Sequence, residues 1–141
     1  PLRCYQKRGS TVRILIRYFF RLVRLILTPF MLIMEKLTTP KGIERSTDAQ
    51  ARVEQECKQL SLYQFKTCPF CIKVRKEIAR LNLPIELRDA QHNETHRAEL
   101  SEQGGRVKVP CLRITQESGN AQWMYESDDI IHYLRARFEH A

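Results

Sequence analysis

The run Cys68-Pro69-Phe70-Cys71 constrains this chain more than any other stretch, because it stands where one periodicity gives way to another. Before it, Ser61-Leu62-Tyr63-Gln64-Phe65 carries apolar Leu62, Tyr63 and Phe65 and predicts a short buried strand. After it, Ile72 to Leu81 predicts a helix: Cys71, Val74, Ile78 and Leu81 fall at i, i+3, i+7 and i+10, one helical face. Pro69 suits the first helical turn, where a missing N–H has no partner to lose. On this reading Cys71 points into the core and Cys68 sits at the exposed mouth of the helix. Free N–H groups and the helix dipole favour an anion there, and so a thiolate on Cys68. An accessible nucleophilic thiol beside a shielded one is what thiol–disulfide exchange requires.

A Cys-x-x-Cys pair also occurs as half of a zinc site. A four-thiolate site needs a second pair, and Cys4, Cys57 and Cys111 are scattered singly. His92 and His96 are four apart, but Gln91-His92-Asn93-Glu94-Thr95-His96-Arg97 reads as a solvated loop and helix face. Strand–helix context therefore favours redox chemistry, with no metal expected. Cys57, on an apolar face with Val53 and Leu60, reads as a packing residue. Cys111 reads the same way, its side chain on the other side of the sheet from the redox pair.

Three motifs in order, Cys68-Pro69-Phe70-Cys71, Val109-Pro110 and Glu126-Ser127-Asp128, resemble the glutaredoxins, especially the subgroup approaching the N-terminal domain of glutathione S-transferases. The likeness covers roughly residues 60–138. It implies an α/β thioredoxin-like fold, a four-stranded mixed sheet flanked by helices. It also implies that Cys68 and Cys71 are catalytic and that glutathione is the co-substrate. In such a fold Pro110 is cis and faces the cysteines, and the Val109 backbone pairs with glutathione like an added strand. Glu126 and Ser127, at the mouth of a last helix, would hold the γ-glutamyl end, with Asp128 a lesser candidate. Lys66 matches the cation that meets the glycine carboxylate. Phe70 stands where many glutaredoxins carry tyrosine, keeping a packing role without the hydroxyl. Related transferases often activate glutathione with serine or tyrosine. A cysteine pair here, with no helical domain following Ala141, leads to the expectation that the chain is not a conjugating transferase.

Residues have their own signals beside the resemblance. Ser127 predicts an N-cap with two carboxylates in the first turn. Ile130, Ile131, Leu134 and Phe138 give that helix a buried face. Thr47-Asp48-Ala49-Gln50 predicts a capping box opening a helix to about Lys58. Pro84-Ile85-Glu86-Leu87-Arg88 alternates as a strand, a polar helix follows to Gly104-Gly105, and Ser118-Gly119-Asn120 predicts a hairpin turn.

The charge is lopsided. Residues 1–45 carry ten basic and two acidic side chains, whereas residues 46–141 carry fourteen of each. A folded domain without basic excess is not expected to bind nucleic acid. Within the basic third, Arg13, Arg17, Arg21 and Arg24 fall on one narrow helical stripe, opposite Leu, Ile, Val and aromatic side chains. The uncharged run from Leu25 to Met34 is half the length of about twenty residues that a bilayer span needs. Such a helix suits the membrane interface, its cations at anionic headgroups, although a tilted span with snorkelling arginines is the alternative. No convincing signal-peptide cleavage site follows, and the segment is more hydrophobic than a mitochondrial presequence.

These readings divide the chain into a basic membrane-associating segment and linker (1–45), a short linker helix (46–60) and a glutaredoxin-like domain (61–141). The expected protein is a glutathione-dependent oxidoreductase acting at a membrane surface on disulfide-containing or glutathionylated proteins. Its lipid contact runs through residues 12–34. Upkeep of the dithiol by glutathione favours a cytoplasm-facing domain. The rival is a non-enzymatic membrane-tethered module that binds glutathione or an iron–sulfur cluster, the latter disfavoured by the proline after the first cysteine.

Overall fold

A computed structural model describes the backbone of residues 3–141 and the side chains of Gly9 and residues 11–141. Pro1, Leu2 and the Cys4 thiol lie outside the described residues. The chain divides into two units between Leu37 and Thr38.

The described residues of the first unit lie in one helix, α1 (Arg3–Thr38). Pro29 lies inside it, removing one backbone donor, and the Thr28 hydroxyl donates to the Arg24 carbonyl at 2.9 Å just before it. Leu15, Phe19, Phe20, Leu22 and Ile26 are all exposed. Among the described residues, no helix is long and apolar enough to cross a membrane.

The second unit contains α2 (Thr47–Cys57), β1 (Leu60–Gln64), α3 (Pro69–Arg80), β2 (Glu86–Asp89), α4 (Glu94–Glu102), β3 (Cys111–Thr115), β4 (Ala121–Met124) and α5 (Ser127–Phe138). The sheet order is β2-β1-β3-β4, with β1 parallel to β2 and the other neighbours antiparallel. This is the mixed four-stranded sheet of a thioredoxin-like fold. Strand alternation sorts the core into two layers. Leu60, Leu62, Leu112 and Ile114 pack with Val53 and Cys57 of α2, Val74 and Ile78 of α3, and Ile130, Leu134 and Phe138 of α5. Tyr63 and Cys111 face the opposite layer, with Ala90 just after β2 and Leu100 of α4.

Three boundaries differ from the sequence expectations. The α2 N-cap is Ser46, whose hydroxyl accepts from the Ala49 amide, so the expected box at Thr47 begins one residue early. Glu126, not Ser127, is the α5 N-cap; its extended backbone delivers Ser127 as the first helical residue, and no side chain caps that end. The strand expected from Pro84 starts at Glu86, after a proline that has no N–H for a ladder.

Residues 38–45, read with the N-terminal segment from sequence, fold with the second unit. The Ile43 amide donates to the Arg80 carbonyl at 2.9 Å, and Ile43 packs against the core. Arg45 donates to the Leu81 carbonyl at 2.6 Å and the Phe138 carbonyl at 2.8 Å, bracing the C-terminal ends of α3 and α5. Carbonyl acceptors at two helix ends cannot be inferred from linker composition.

Candidate functional site

Strand registers bring the three motifs to one end of the sheet. Tyr63 pairs with Cys111, so the end of β1 lies beside the start of β3. Leu112 pairs with Met124, so the end of β4 reaches the same edge. The loops leading to Cys68, to Val109-Pro110 and to Glu126 therefore emerge together, where α3 and α5 begin.

Cys68 is the α3 N-cap, with extended backbone (φ −73°, ψ 124°) and Pro69 in the first turn. Its carbonyl accepts from the Ile72 amide at 2.9 Å, which starts the helix, while its side chain makes no capping bond. The sulfur is half-buried and free, and Cys71 is fully buried one turn on, also as a free thiol. Burial pushes the Cys71 thiol up to about 12, further supported by the Cys68 sulfur beside it. The Phe65 backbone N–H and the Arg75 charge pull the other way. A stack of one accessible and one shielded sulfur is thus built from a strand end, a loop and a helix N-terminus.

The Val109–Pro110 bond is cis, and Pro110 is buried immediately before β3. Val109 is half-buried against the α4-side core. Its loop is held from the β4 side, where the Tyr125 hydroxyl donates to the Gly104 carbonyl at 2.5 Å and approaches the Arg106 carbonyl at 3.3 Å. The Arg106 guanidinium lies 4.5 Å over the Tyr125 ring.

At the mouth of α5, Glu126 binds Lys108 at 2.7 Å, and Asp128 binds Lys73 at 2.5 Å. Each lysine bond holds its carboxyl below the ordinary carboxylate range. Glu126, expected to receive a ligand ammonium, already holds a protein one. Ser127 follows as the first residue of α5. Lys66 is exposed, and its carbonyl accepts from Arg75. Phe70, in the first turn of α3, is 61% exposed.

Cys57 and Cys111 are fully buried, their thiols pushed by burial up to about 11 and about 12. Among the described residues no cluster of His, Cys, Asp or Glu could hold a metal ion. His92 pairs with Asp89 at 3.0 Å in the open, as its polar surroundings predict. His96 departs from its solvated expectation by standing edge-on to the buried Tyr63 ring, at 6.3 Å between centroids.

Sequence reading passed over Arg75, Lys73, Lys108 and Tyr125. Arg75 had the one local signal, standing four residues after Cys71 and so one helical turn along. The lysine partners and Tyr125 come from distant segments.

Residues 62–141 match the family described as glutathione S-transferase, N-terminal domain. Over 77 residues the chain is 40% identical to prostaglandin E synthase 2 of Mus musculus, covering 55% of this chain and 19% of that protein. Over 75 residues it is 29% identical to glutaredoxin 2 of Escherichia coli strain K12, covering 53% and 32%. The chain thus spans a third or less of the length of these curated relatives. Similar solved structures include maleylacetoacetate isomerase from Anaeromyxobacter dehalogenans with glutathione bound in its active site. It is 23% identical, covering 57% of this chain and 38% of that one, with a TM-score of 0.44. Glutaredoxin from Brucella melitensis is also 23% identical, covering 55% and 78%, with a TM-score of 0.38. Motifs, fold and family match agree: this chain belongs to the thioredoxin-like glutathione S-transferase N-terminal domain family, to which it is joined through glutaredoxin-like relatives.

Proposed function

We propose that the domain is a glutathione-dependent thiol–disulfide oxidoreductase of glutaredoxin type, working at a membrane surface. The carrying observation is the half-buried, uncapped Cys68 sulfur at the α3 N-terminus with Cys71 buried behind it. An anion at that helix end is favoured by the helix dipole and the first-turn amides. The family match and the glutaredoxin relative support glutathione as co-substrate.

In the proposed cycle the Cys68 thiolate attacks the glutathione sulfur of a protein–glutathione mixed disulfide. A Cys68–glutathione bond forms, and the protein thiolate leaves and takes up a proton. A glutathione thiolate then attacks the bound glutathione sulfur, giving glutathione disulfide and restoring Cys68. The Val109 backbone beside Pro110 aligns the bound glutathione, and Lys66 receives its glycine carboxylate. Glu126 and Ser127 take its γ-glutamyl end, Glu126 first exchanging its Lys108 partner for the ligand ammonium. Phe70 covers the ligand from the helix side. With a protein disulfide, Cys71 attacks Cys68 to release the second substrate thiol.

The exposed apolar surface of α1 and its four-arginine stripe support attachment in the membrane interface through residues 12–34, and the need of the dithiol for upkeep by glutathione favours a domain facing the cytoplasm.

The test is glutathione-dependent reduction of a small mixed disulfide by the full chain. Wild type turns over, Cys68→Ser loses activity by at least about a hundredfold, and Cys71→Ser retains most of it. Glutathione binding without turnover would sink the enzyme reading in favour of a binding module.

A further inference from the structure

Among the described residues, Arg75 grips three successive residues at the end of β1 and the start of the loop to α3. Its guanidinium donates to Gln64 Oε1 at 2.5 Å and to the Lys66 carbonyl at 2.8 Å, and lies 3.5 Å from the Phe65 carbonyl. The same Phe65 carbonyl accepts from the Cys68 amide at 3.2 Å. Arg75 stands one helical turn after Cys71 on α3, and its charge and the Phe65 N–H both favour the Cys71 anion. A planar five-donor fork can hold several acceptors in fixed relation, which an ammonium cannot.

We propose that Arg75 is the positioning residue of the shielded thiol: by holding the Phe65 peptide, it keeps a backbone donor and a cation against Cys71, and so sets the rate of internal disulfide closure. The inference rests on the oxidoreductase reading for its purpose, but not for its measurement. Its chemistry balances without an added cofactor. Oxidised glutathione reacts with Cys68 to give a Cys68–glutathione bond and one glutathione. The Cys71 thiolate then attacks the Cys68 sulfur, the bond to glutathione breaks, and the leaving glutathione thiolate takes the proton Cys71 lost. Two electrons pass from the dithiol to oxidised glutathione, yielding two glutathione molecules in all. Burial opposes ionisation of Cys71, so the few groups favouring its anion control this second step.

The experiment mixes reduced full-length protein with oxidised glutathione, quenches with acid and separates adduct from internal disulfide by intact mass. Wild type, Arg75→Met and Arg75→Lys are compared from pH 6.5 to 9.5, with far-ultraviolet circular dichroism to report folding. Closure in Arg75→Met is expected to be about tenfold slower near neutral pH, corresponding to about one pKa unit. Both rates rise with pH while the gap persists, because the Cys71 thiol, pushed up to about 12, stays largely protonated across this range. Arg75→Lys restores closure only in part. Adduct formation at Cys68 in the Cys71→Ser background changes by less than about twofold on adding Arg75→Met.

Equal closure rates in wild type and Arg75→Met would overturn the inference. So would closure rates that do not rise with pH, full restoration by lysine, or an equal slowing at Cys68. If Arg75→Met misfolds, Arg75→Lys alone decides, since an unchanged profile refutes the fork. Steady-state turnover is measured in parallel. Slow closure in Arg75→Met beside an inert wild type refutes the enzyme reading alone; turnover in wild type with unchanged closure refutes the Arg75 role alone.

Discussion

Glu77 shows how a single charged side chain joins two helices beneath the candidate site. It is buried on α3, and Oε1 accepts from Arg80 at 2.6 Å and from Arg135 of α5 at 2.9 Å. Burial raises its carboxyl, but the bonds from Arg135 and Arg80 outweigh that and hold it below the ordinary range. Glu77→Gln keeps an acceptor oxygen but removes the charge that pairs Arg135 and Arg80, the latter still held by Glu139 at 3.0 Å, and is expected to cost about 1–3 kcal/mol in denaturant unfolding, less than a fully buried pair because both arginines reach solvent. A depressed folded-state carboxyl contributes stability above its unfolded value, near 4.3, and loses it as pH falls through the folded value. Wild-type stability should therefore decline toward acid more steeply than that of Glu77→Gln, as urea midpoints at pH 7 and pH 3 would reveal. At the same scale, the high Cys71, Cys111 and Cys57 thiols predict that iodoacetamide at neutral pH modifies Cys68 before any of these three. Peptide mass mapping of partially alkylated protein checks this; early labelling at Cys111 would contradict its buried placement.

Among the elements, the loop from α4 to β3 decides where Val109 stands. Gly104 permits the approach of Tyr125: a Cβ there would lie 2.4 Å from the Tyr125 hydroxyl and 2.6 Å from the Leu100 carbonyl. Gly104→Ala must therefore push the backbone or expel the tyrosine hydroxyl. We expect a loss of about 1–3 kcal/mol together with a raised KM for glutathione, because the Val109 backbone moves with the loop. Tyr125→Phe keeps the ring and loses the bond to Gly104, so it should show the KM effect with a smaller stability loss. A thermal melt and a glutathione titration separate the two. The sequence made Gly104-Gly105 legible as a helix stop, and Gly105 does adopt φ +91°. The crowding of Gly104 by Tyr125 was not legible, because it is made across a strand pairing.

For the whole molecule, the charge asymmetry predicts that the full chain partitions onto vesicles containing phosphatidylserine in preference to phosphatidylcholine alone. Replacing Arg13, Arg17, Arg21 and Arg24 together by glutamine should weaken that partitioning at least about tenfold, judged by cosedimentation at fixed ionic strength. Equal binding to both lipids would remove the electrostatic part of the proposal. The order of elements, the buried face of α3, the hairpin turn at Gly119 and the cysteine pair at a strand–helix junction could all be read from the chain, because each depends on short-range periodicity or turn chemistry. Ser46 and Glu126 show where that reading slips by one residue: several neighbouring polar side chains can cap a helix, and the backbone entering it selects among them. By itself the sequence determined which residues are apolar on which face, and hence the two core layers and the shielding of Cys71. Only the tertiary structure decided that Lys108 holds Glu126, that Arg45 braces two helix ends, and that Arg75 grips the loop before Cys68. Long, flexible charged side chains carry no periodic signal. Their partners are selected by the distances that remain once strands and helices have packed.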